Sequence, residues 1–344
     1  MNLRLGILGG TGKVGTELLR LLESEFAAKL GLLSPPVIFG TARSAGKKIR
    51  YAGQELTVMD SSPENLKDLD LIISTANGEV SEKLIPTALR QGCKLVIDTD
   101  SFYRMDPKVP LITVGVNDVD IDWHQGIIAG PNCSVAQLII PLKLLDLAFG
   151  LKRVVVSTYQ SVSGAGKAAM DLLIDEARKI SSIEGLAHKP ERAVIDEEQF
   201  AFNVIPRISK ILPNGYTKEE WKIIDESRKM LNKPDLKITC TAVRVPVLVG
   251  HSEAVNLELE KAFTLEEIHS VLKASPELKV WKNFEEYPMP HQVAGTSPVH
   301  IGRIRRDESL ESGLDLWVVA DNLLIGASLN ALRIAEVAIK RGKI

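Results

Sequence analysis

The chain has 344 residues, 45% hydrophobic and 25% charged, with 42 Lys and Arg set against 44 Asp and Glu for a formal net charge of −2. That length allows two domains around a sizeable core, and that balance excludes a disordered chain and leaves no basic footprint for nucleic acid. The three cysteines Cys93, Cys133 and Cys240 are too few and too scattered for a disulfide framework or a Cys-x-x-Cys metal pair, so a reducing cytoplasm and no metal are expected.

Leu3 to Leu8 predicts a buried strand, with no signal-peptide pattern ahead of it. Gly9-Gly10-Thr11-Gly12-Lys13-Val14-Gly15 follows, then a helix with Val14, Leu18, Leu19, Leu21 and Leu22 on one stripe. Further strands are expected at Val37-Ile38-Phe39, Leu71-Ile72-Ile73 and Leu95-Val96-Ile97, with a helix from about Glu79 to Arg90 that carries Leu84, Ile85 and Leu89 on its apolar face. Such alternation predicts an α/β, Rossmann-like, doubly wound parallel sheet over residues 1–132. Ile127-Ile128 then leads into Pro131-Asn132-Cys133-Ser134 and an apolar, helix-patterned run from Val135 to Leu147. The greasiest stretch, Leu138 to Phe149, is broken by Pro141, Lys143 and Asp146, too short and too polar to span a bilayer, so no membrane partner is expected.

The second half reads as an α+β domain over residues 133–321. Strands are expected at Arg153 to Tyr159, within Lys237 to Val249, at Asn256 to Glu260 and at Trp317-Val318-Val319, with a helix from Gly164 to Ile180. Their polar alternate face predicts an antiparallel or mixed sheet that carries a subunit interface. Ser181 to Glu198 is polar and broken, a surface excursion. Asn322 to Ile344 is helical and is expected to pack back on the first domain.

Gly9, Gly12 and Gly15 between strand and helix put backbone N–H groups against a pyrophosphate. A tight turn with no ligand would read the same way by itself. At the end of the second strand, where an acid would hold a ribose 2′-hydroxyl, the chain has Thr41-Ala42-Arg43-Ser44-Ala45-Gly46-Lys47-Lys48. Arg43 and the Ser44 hydroxyl suit a 2′-phosphate, so NADP is the expected cofactor.

Cys133 falls at the first turn of a predicted helix, where orphan N–H groups and the helix dipole favour a thiolate. A lone cysteine is more often plain packing. Here it precedes Tyr159-Gln160-Ser161-Val162-Ser163-Gly164, which ends a strand in a glycine turn, and Arg244 and His251, which flank an extended Pro/Gly segment. A predicted helix from Thr217 to Met230 sets Glu219 and Lys222 at i and i+3, on one face.

Taken in order, these motifs resemble the aspartate-semialdehyde dehydrogenases over nearly the whole length. The resemblance also runs through Phe102-Tyr103-Arg104-Met105-Asp106, Phe202-Asn203-Val204-Ile205-Pro206, Gly250-His251-Ser252-Glu253, Gly302-Arg303-Ile304-Arg305 and Asp321-Asn322-Leu323. It implies NADP-dependent reduction of aspartyl phosphate to aspartate semialdehyde through a thioester, in the biosynthesis of lysine, threonine, methionine and diaminopimelate. It implies Cys133 as nucleophile, His251 as general acid/base and Gln160 as the residue that orients the acyl group. Arg244 would grip the substrate carboxylate, Glu219 its ammonium, and Arg104 and Lys222 the phosphate. Gly9, Thr11, Gly12, Lys13, Val14, Arg43, Ser44, Ser163, Gly164 and Asn322 would contact the cofactor. The family also implies a homodimer or homotetramer.

The chain departs from the family pattern at Asp98-Thr99-Asp100-Ser101, at Val114-Gly115, at Gly130 and at Leu324-Ile325-Gly326-Ala327-Ser328. Two other readings stay open. One is a related acyl-phosphate reductase of the N-acetylglutamyl-phosphate type, against which Glu219 argues because an acetylated amine needs no anion. The other is a non-catalytic paralogue that binds NADP.

Overall fold

The computed structural model describes residues 3–183, 194, 196 and 198–344, so most of the expected excursion at 181–198 lies outside the described residues. The chain divides into two compact units, Met1–Ile139 with Lys229–Asn232 and Leu323–Ile344, and Ile140–Arg228 with Lys233–Asn322.

The first unit opens with β1 (Leu5–Leu8), α1 (Lys13–Leu21), a π-helical turn (Leu22–Phe26) and a one-turn extension, α2 (Ala27–Lys29). Next come β2 (Val37–Gly40), a hairpin of β3 (Lys48–Tyr51) and β4 (Gln54–Thr57), β5 (Met59–Asp60), β6 (Leu71–Ser74), α3 (Gly78–Arg90), β7 (Leu95–Asp98) and β8 (Ile127–Ala129). Six strands pair in the order β5-β2-β1-β6-β7-β8, all parallel. Every residue of β1, β6 and β7 is buried, which is why these strands read as unbroken apolar runs. The β3–β4 hairpin was not expected. β3 alternates charged and apolar residues, β4 has Leu56 as its one apolar residue, and Ala52 and Gly53 both take positive φ, as a two-residue hairpin turn requires.

The C-terminal segment forms a second π-helical turn (Leu324–Ser328). Together with a terminal helix, Leu329–Lys340, it belongs to this unit. Leu329, Leu332, Ile334 and Ala335 share one core with Leu5, Ile7, Leu95, Ile97, Leu18 and Leu22. Full burial of each leucine or isoleucine contributes roughly 1.5–3 kcal/mol. Asn330 adds polar specificity, donating to the Ile112 carbonyl at 2.9 Å and accepting from the Val114 N–H at 3.1 Å.

The helix after the cysteine turn is α4 (Cys133–Phe149), 17 residues long. The division between units falls inside it, after Ile139, whereas a boundary at 132/133 was expected. In the second unit α4 leads to β9 (Leu151–Gln160), α5 (Lys167–Ser181), α6 (Lys218–Leu231), β10 (Lys237–Arg244) and β11 (His251–Leu259). Then follow α7 (Leu265–Lys273), β12 (Leu278–Val280), α8 (Pro290–Val293), β13 (Val299–Asp307) and β14 (Gly313–Ala320), so that the terminal helix is α9. The mixed sheet runs β10-β9-β11-β14-β13-β12. Within the expected stretch from Lys237 to Val249, the strand β10 stops at Arg244, because Pro246 lacks the N–H a ladder needs. β11 starts at His251, earlier than its alternating core predicts, since His251, Ser252 and Glu253 are all buried.

This topology sets the site. β9 and β10 are parallel with Gln160 paired to Arg244, and β11 is antiparallel to β9 with Ser252 opposite Tyr159. The last residues of β9 and β10 and the first residue of β11 therefore meet at one end of the sheet.

Candidate active site

In the first unit, the glycine turn packs backbone on backbone. Gly9 has φ +78°, its N–H and that of Gly10 donate to the Phe39 carbonyl at 3.1 Å, and a Cβ on Gly15 would fall 2.5 Å from the Gly9 carbonyl oxygen. Gly12 caps α1 without a side-chain hydrogen bond, and the first turn carries no acid. Thr11, Gly12 and Lys13 are exposed and Val14 half-exposed there. A helix start with uncapped N–H groups, reached by a turn only glycine can make, fits a dinucleotide pyrophosphate.

Beside it, Arg43 is exposed while Ser44 is 8% exposed, and the Ser44 hydroxyl donates to the Thr41 carbonyl at 3.1 Å. The Ser44 hydroxyl expected to meet a phosphate is thus engaged within its own turn. Arg43 remains as the side chain that faces outward. Arg43→Ala is expected to shrink the preference for NADP over NAD by about ten- to a hundredfold, the worth of a charge-assisted bidentate pair. Comparing kcat/KM for the two dinucleotides checks this, and unchanged selectivity would move the phosphate contact elsewhere.

At the cysteine turn, Asn132 is the N-cap: its Oδ1 accepts from the Ser134 N–H at 2.9 Å and its carbonyl accepts from Ala136 at 2.9 Å. Cys133 is accordingly the first helical residue, half-buried. Gly326, in the π-helical turn, lies against it. A Cβ at Gly326 would sit 2.5 Å from the Cys133 Cβ and 2.7 Å from its Cα. The segment 324–328 departs from the family pattern on both sides of this glycine, yet the glycine itself is the one residue type that fits beside the thiol. Local sequence could not reveal a contact between positions so far apart. The other two cysteines differ in kind. Burial pushes the Cys93 thiol up to about 12, and burial followed by Glu253, Glu220 and Glu219 raises that of Cys240. Neither offers a thiolate near neutral pH.

Arg104 is 7% exposed, and its Nη2 donates to the Thr99 carbonyl at 2.7 Å. The departures nearby are satisfied locally: Thr99 N–H and hydroxyl both donate to the Ser74 carbonyl, Asp100 accepts from the Phe102 N–H, and the Gly130 N–H donates to the Asp98 carbonyl at 2.8 Å.

In the second unit, Gln160 and Arg244 are 1% and 9% exposed and His251 is fully buried. The Ser161 N–H donates to His251 Nδ1 at 3.0 Å, so the neutral ring carries its proton on Nε2. Burial, and then the Arg244 charge, drives the imidazole down to about 3 from its ordinary 6.5. The ring is neutral at pH 7, with its one N–H at Nε2. Asn322 holds the turn that holds the ring: its Oδ1 accepts from the Ser161 and Ser163 hydroxyls, each at 3.1 Å, and from the Gly250 N–H at 3.0 Å. Asn322 and Ser163, both expected to contact the cofactor, thus also orient His251. Ser161 and its part in fixing the tautomer were not anticipated. Arg244 Nη1 donates to the Ser161 carbonyl at 2.6 Å, and its backbone bridges Ile205 of the 202–206 motif. Gly164 lies over both groups: a Cβ there would be 3.2 Å from Arg244 Nη1 and 3.4 Å from His251 Nε2.

Glu219 and Lys222 share a face of α6 and pair at 3.7 Å, with Glu219 8% exposed. Glu220 has a different task. It accepts from the Thr217 N–H at 2.6 Å in a capping arrangement and from the Ala242 N–H at 2.9 Å, tying the helix start to β10. Among the described residues, no cluster of three His, Cys, Asp or Glu side chains is placed to hold a metal ion.

Comparison with known proteins adds a family to this geometry. Residues 4–124 match the family model described as semialdehyde dehydrogenase, NAD binding domain, and residues 142–325 the one described as semialdehyde dehydrogenase, dimerisation domain. The chain is 40% identical to aspartate-semialdehyde dehydrogenase of Bacillus subtilis, over 97% of this chain and 96% of that protein. It is 41% identical to that of Aquifex aeolicus over 100% of both. Among solved structures, it resembles aspartate semialdehyde dehydrogenase II from Vibrio cholerae complexed with ASA, with a TM-score of 0.90, 35% identity and 99% of each chain covered.

Proposed function

The chain belongs to the aspartate-semialdehyde dehydrogenase family, and from that premise we propose that it reduces L-aspartyl-4-phosphate to L-aspartate-4-semialdehyde with NADPH. The reaction serves amino-acid biosynthesis. The observation that carries the reading is the end of the mixed sheet, where an amide, a guanidinium and an imidazole with its proton on Nε2 come from three strands.

In this reading the Cys133 thiolate attacks the acyl carbon. A C–S bond forms, the C–O bond to phosphate breaks, and the departing phosphate is held by Arg104 and Lys222 and takes up one proton from solvent. Gly9 to Val14 and Arg43 would hold the reduced dinucleotide, which when bound would supply the hydride that the thioester carbon takes up. His251 Nε2–H donates to the oxygen that becomes negative, and Gln160 orients the acyl group against it. The C–S bond then breaks, which frees the aldehyde and restores the thiolate. Arg244 pairs with the substrate carboxylate in bidentate fashion, and the Glu219 carboxylate receives its ammonium. Phosphate-dependent reduction of NADP with aspartate semialdehyde tests this. Activity only with an N-acetylglutamate semialdehyde would replace the substrate, and none with either aldehyde would favour a non-catalytic role.

Assembly as a homodimer through the open face of the mixed sheet forms part of the same proposal. That face presents Val155, Ala254 and Trp317, with Tyr159 38% exposed and its ring 5.5 Å from that of Trp317. The same face carries Ser157, Asn256, Arg305 and Asp315, and such a mix of aromatic and polar side chains suits a second copy of itself. Ala254→Arg sets a charge at its centre and is expected to give monomers by light scattering at micromolar concentration, whereas an unchanged mass would place the interface elsewhere. A cytoplasmic setting accords with buried thiols outside disulfides.

A further inference from the structure

We propose that Lys229 is a positioning residue for phosphate recognition, acting through Arg104; this rests on the reading that Arg104 holds the phosphate. The Lys229 ammonium donates to three backbone carbonyls at once, those of Arg104 at 2.6 Å, Asp106 at 2.8 Å and Val109 at 2.9 Å. All four residues belong to the first unit.

The segment they hold has no regular structure between β7 and the Leu111 bridge, so no ladder satisfies its carbonyls, and Pro107 and Pro110 contribute no N–H of their own. An ammonium has three donors and no acceptor, which matches three converging carbonyls. Arg104 is thereby held from two sides: its guanidinium by the Thr99 carbonyl at 2.7 Å, and its backbone by Lys229. Thr99 is itself anchored to the end of β6 through the Ser74 carbonyl, so the guanidinium side is fixed to the sheet. Without Lys229 the Arg104 backbone loses its second anchor, and the guanidinium no longer has one position. A lysine on the flank of an amphipathic helix is ordinarily a solvated charge. Here its three acceptors all lie between Arg104 and Val109, one of them on Arg104 itself.

The test compares wild type, Lys229→Met, Lys229→Arg, Arg104→Met and the double variant Arg104→Met/Lys229→Met, each as the full chain. Inorganic phosphate is the varied substrate of the oxidative direction. Lys229→Met is expected to raise the KM for phosphate about tenfold, while the KM for NADP and the alkylation rate of Cys133 stay within about twofold. Lys229→Arg, which keeps charge and donors, should recover most of the loss. The double variant should be no worse than Arg104→Met alone, since one effect runs through the other. An unchanged phosphate KM in Lys229→Met, beside a raised one in Arg104→Met, overturns the proposal and leaves the Arg104 reading standing. Equal losses for every substrate, unrescued by arginine, overturn it in favour of a purely structural role, as does an additive double variant. An unchanged phosphate KM in Arg104→Met removes the premise and the proposal together.

Discussion

Cys133→Ala is expected to lower turnover by about 10⁴-fold or more while NADP binding stays within about twofold, because the first bond made to substrate is the one to sulfur. The structure isolates this effect. Alanine keeps the start of α4, whose cap is the Asn132 side chain and not the thiol, and it keeps the methylene that packs on Gly326. The other two cysteines are buried with raised thiols, so neither substitutes for the missing nucleophile. Mass spectrometry of wild-type protein given acyl phosphate without reductant should find one acyl adduct, on the peptide that carries Cys133. An adduct on another side chain, or residual turnover above about one per cent in the alanine variant, would transfer the nucleophilic role elsewhere.

His251→Asn is expected to lower kcat by about 10²- to 10³-fold with little change in KM, since the Nε2 donor acts on charge that develops after substrate is bound. Asparagine can still accept the Ser161 N–H, which spares the turn. The pH dependence separates this reading from a general base that titrates near neutrality. With the ring at about 3 in the folded protein, the rate should show no limb near 6.5 that depends on His251. Such a limb, lost in His251→Asn, would show that the ring takes up a proton in this range. Stability carries the same signature. The folded pKa lies below the unfolded value, so the contribution is complete above about 6.5 and is lost as pH falls toward 3, where only the unfolded chain gains the proton. Between pH 6.5 and 5, wild type should lose about 2 kcal/mol that His251→Asn does not, measured by urea unfolding.

Much of the first unit was legible in the order of its residues. The strands β1, β6 and β7 are short apolar runs buried on both faces, and the glycine turn and the start of α4 are set by residues adjacent in sequence. Local signals suffice where the partners are local. The hairpin β3–β4 and the strand β5 escaped because the hairpin's two four-residue strands are largely polar and exposed and β5 has only two residues, too few for a period. In the second unit the strand cores were readable, but β12, β13 and α7 were not singled out, and the beginning of β11 was hidden by three polar residues that only burial explains.

The succession of residue types along the chain was enough to specify a dinucleotide-binding domain, a thiol at a helix start and the family that has both. Which proton the imidazole carries depended on Ser161 and Asn322, 90 and 71 residues from it in opposite directions of the chain (251 − 161 and 322 − 251). The glycine beside the thiol and the lysine behind Arg104 likewise took their roles from folding. Periodicity describes what a residue does with its neighbours on one element. A hydrogen bond or a close backbone approach between distant elements exists only once strand order and register have brought them together.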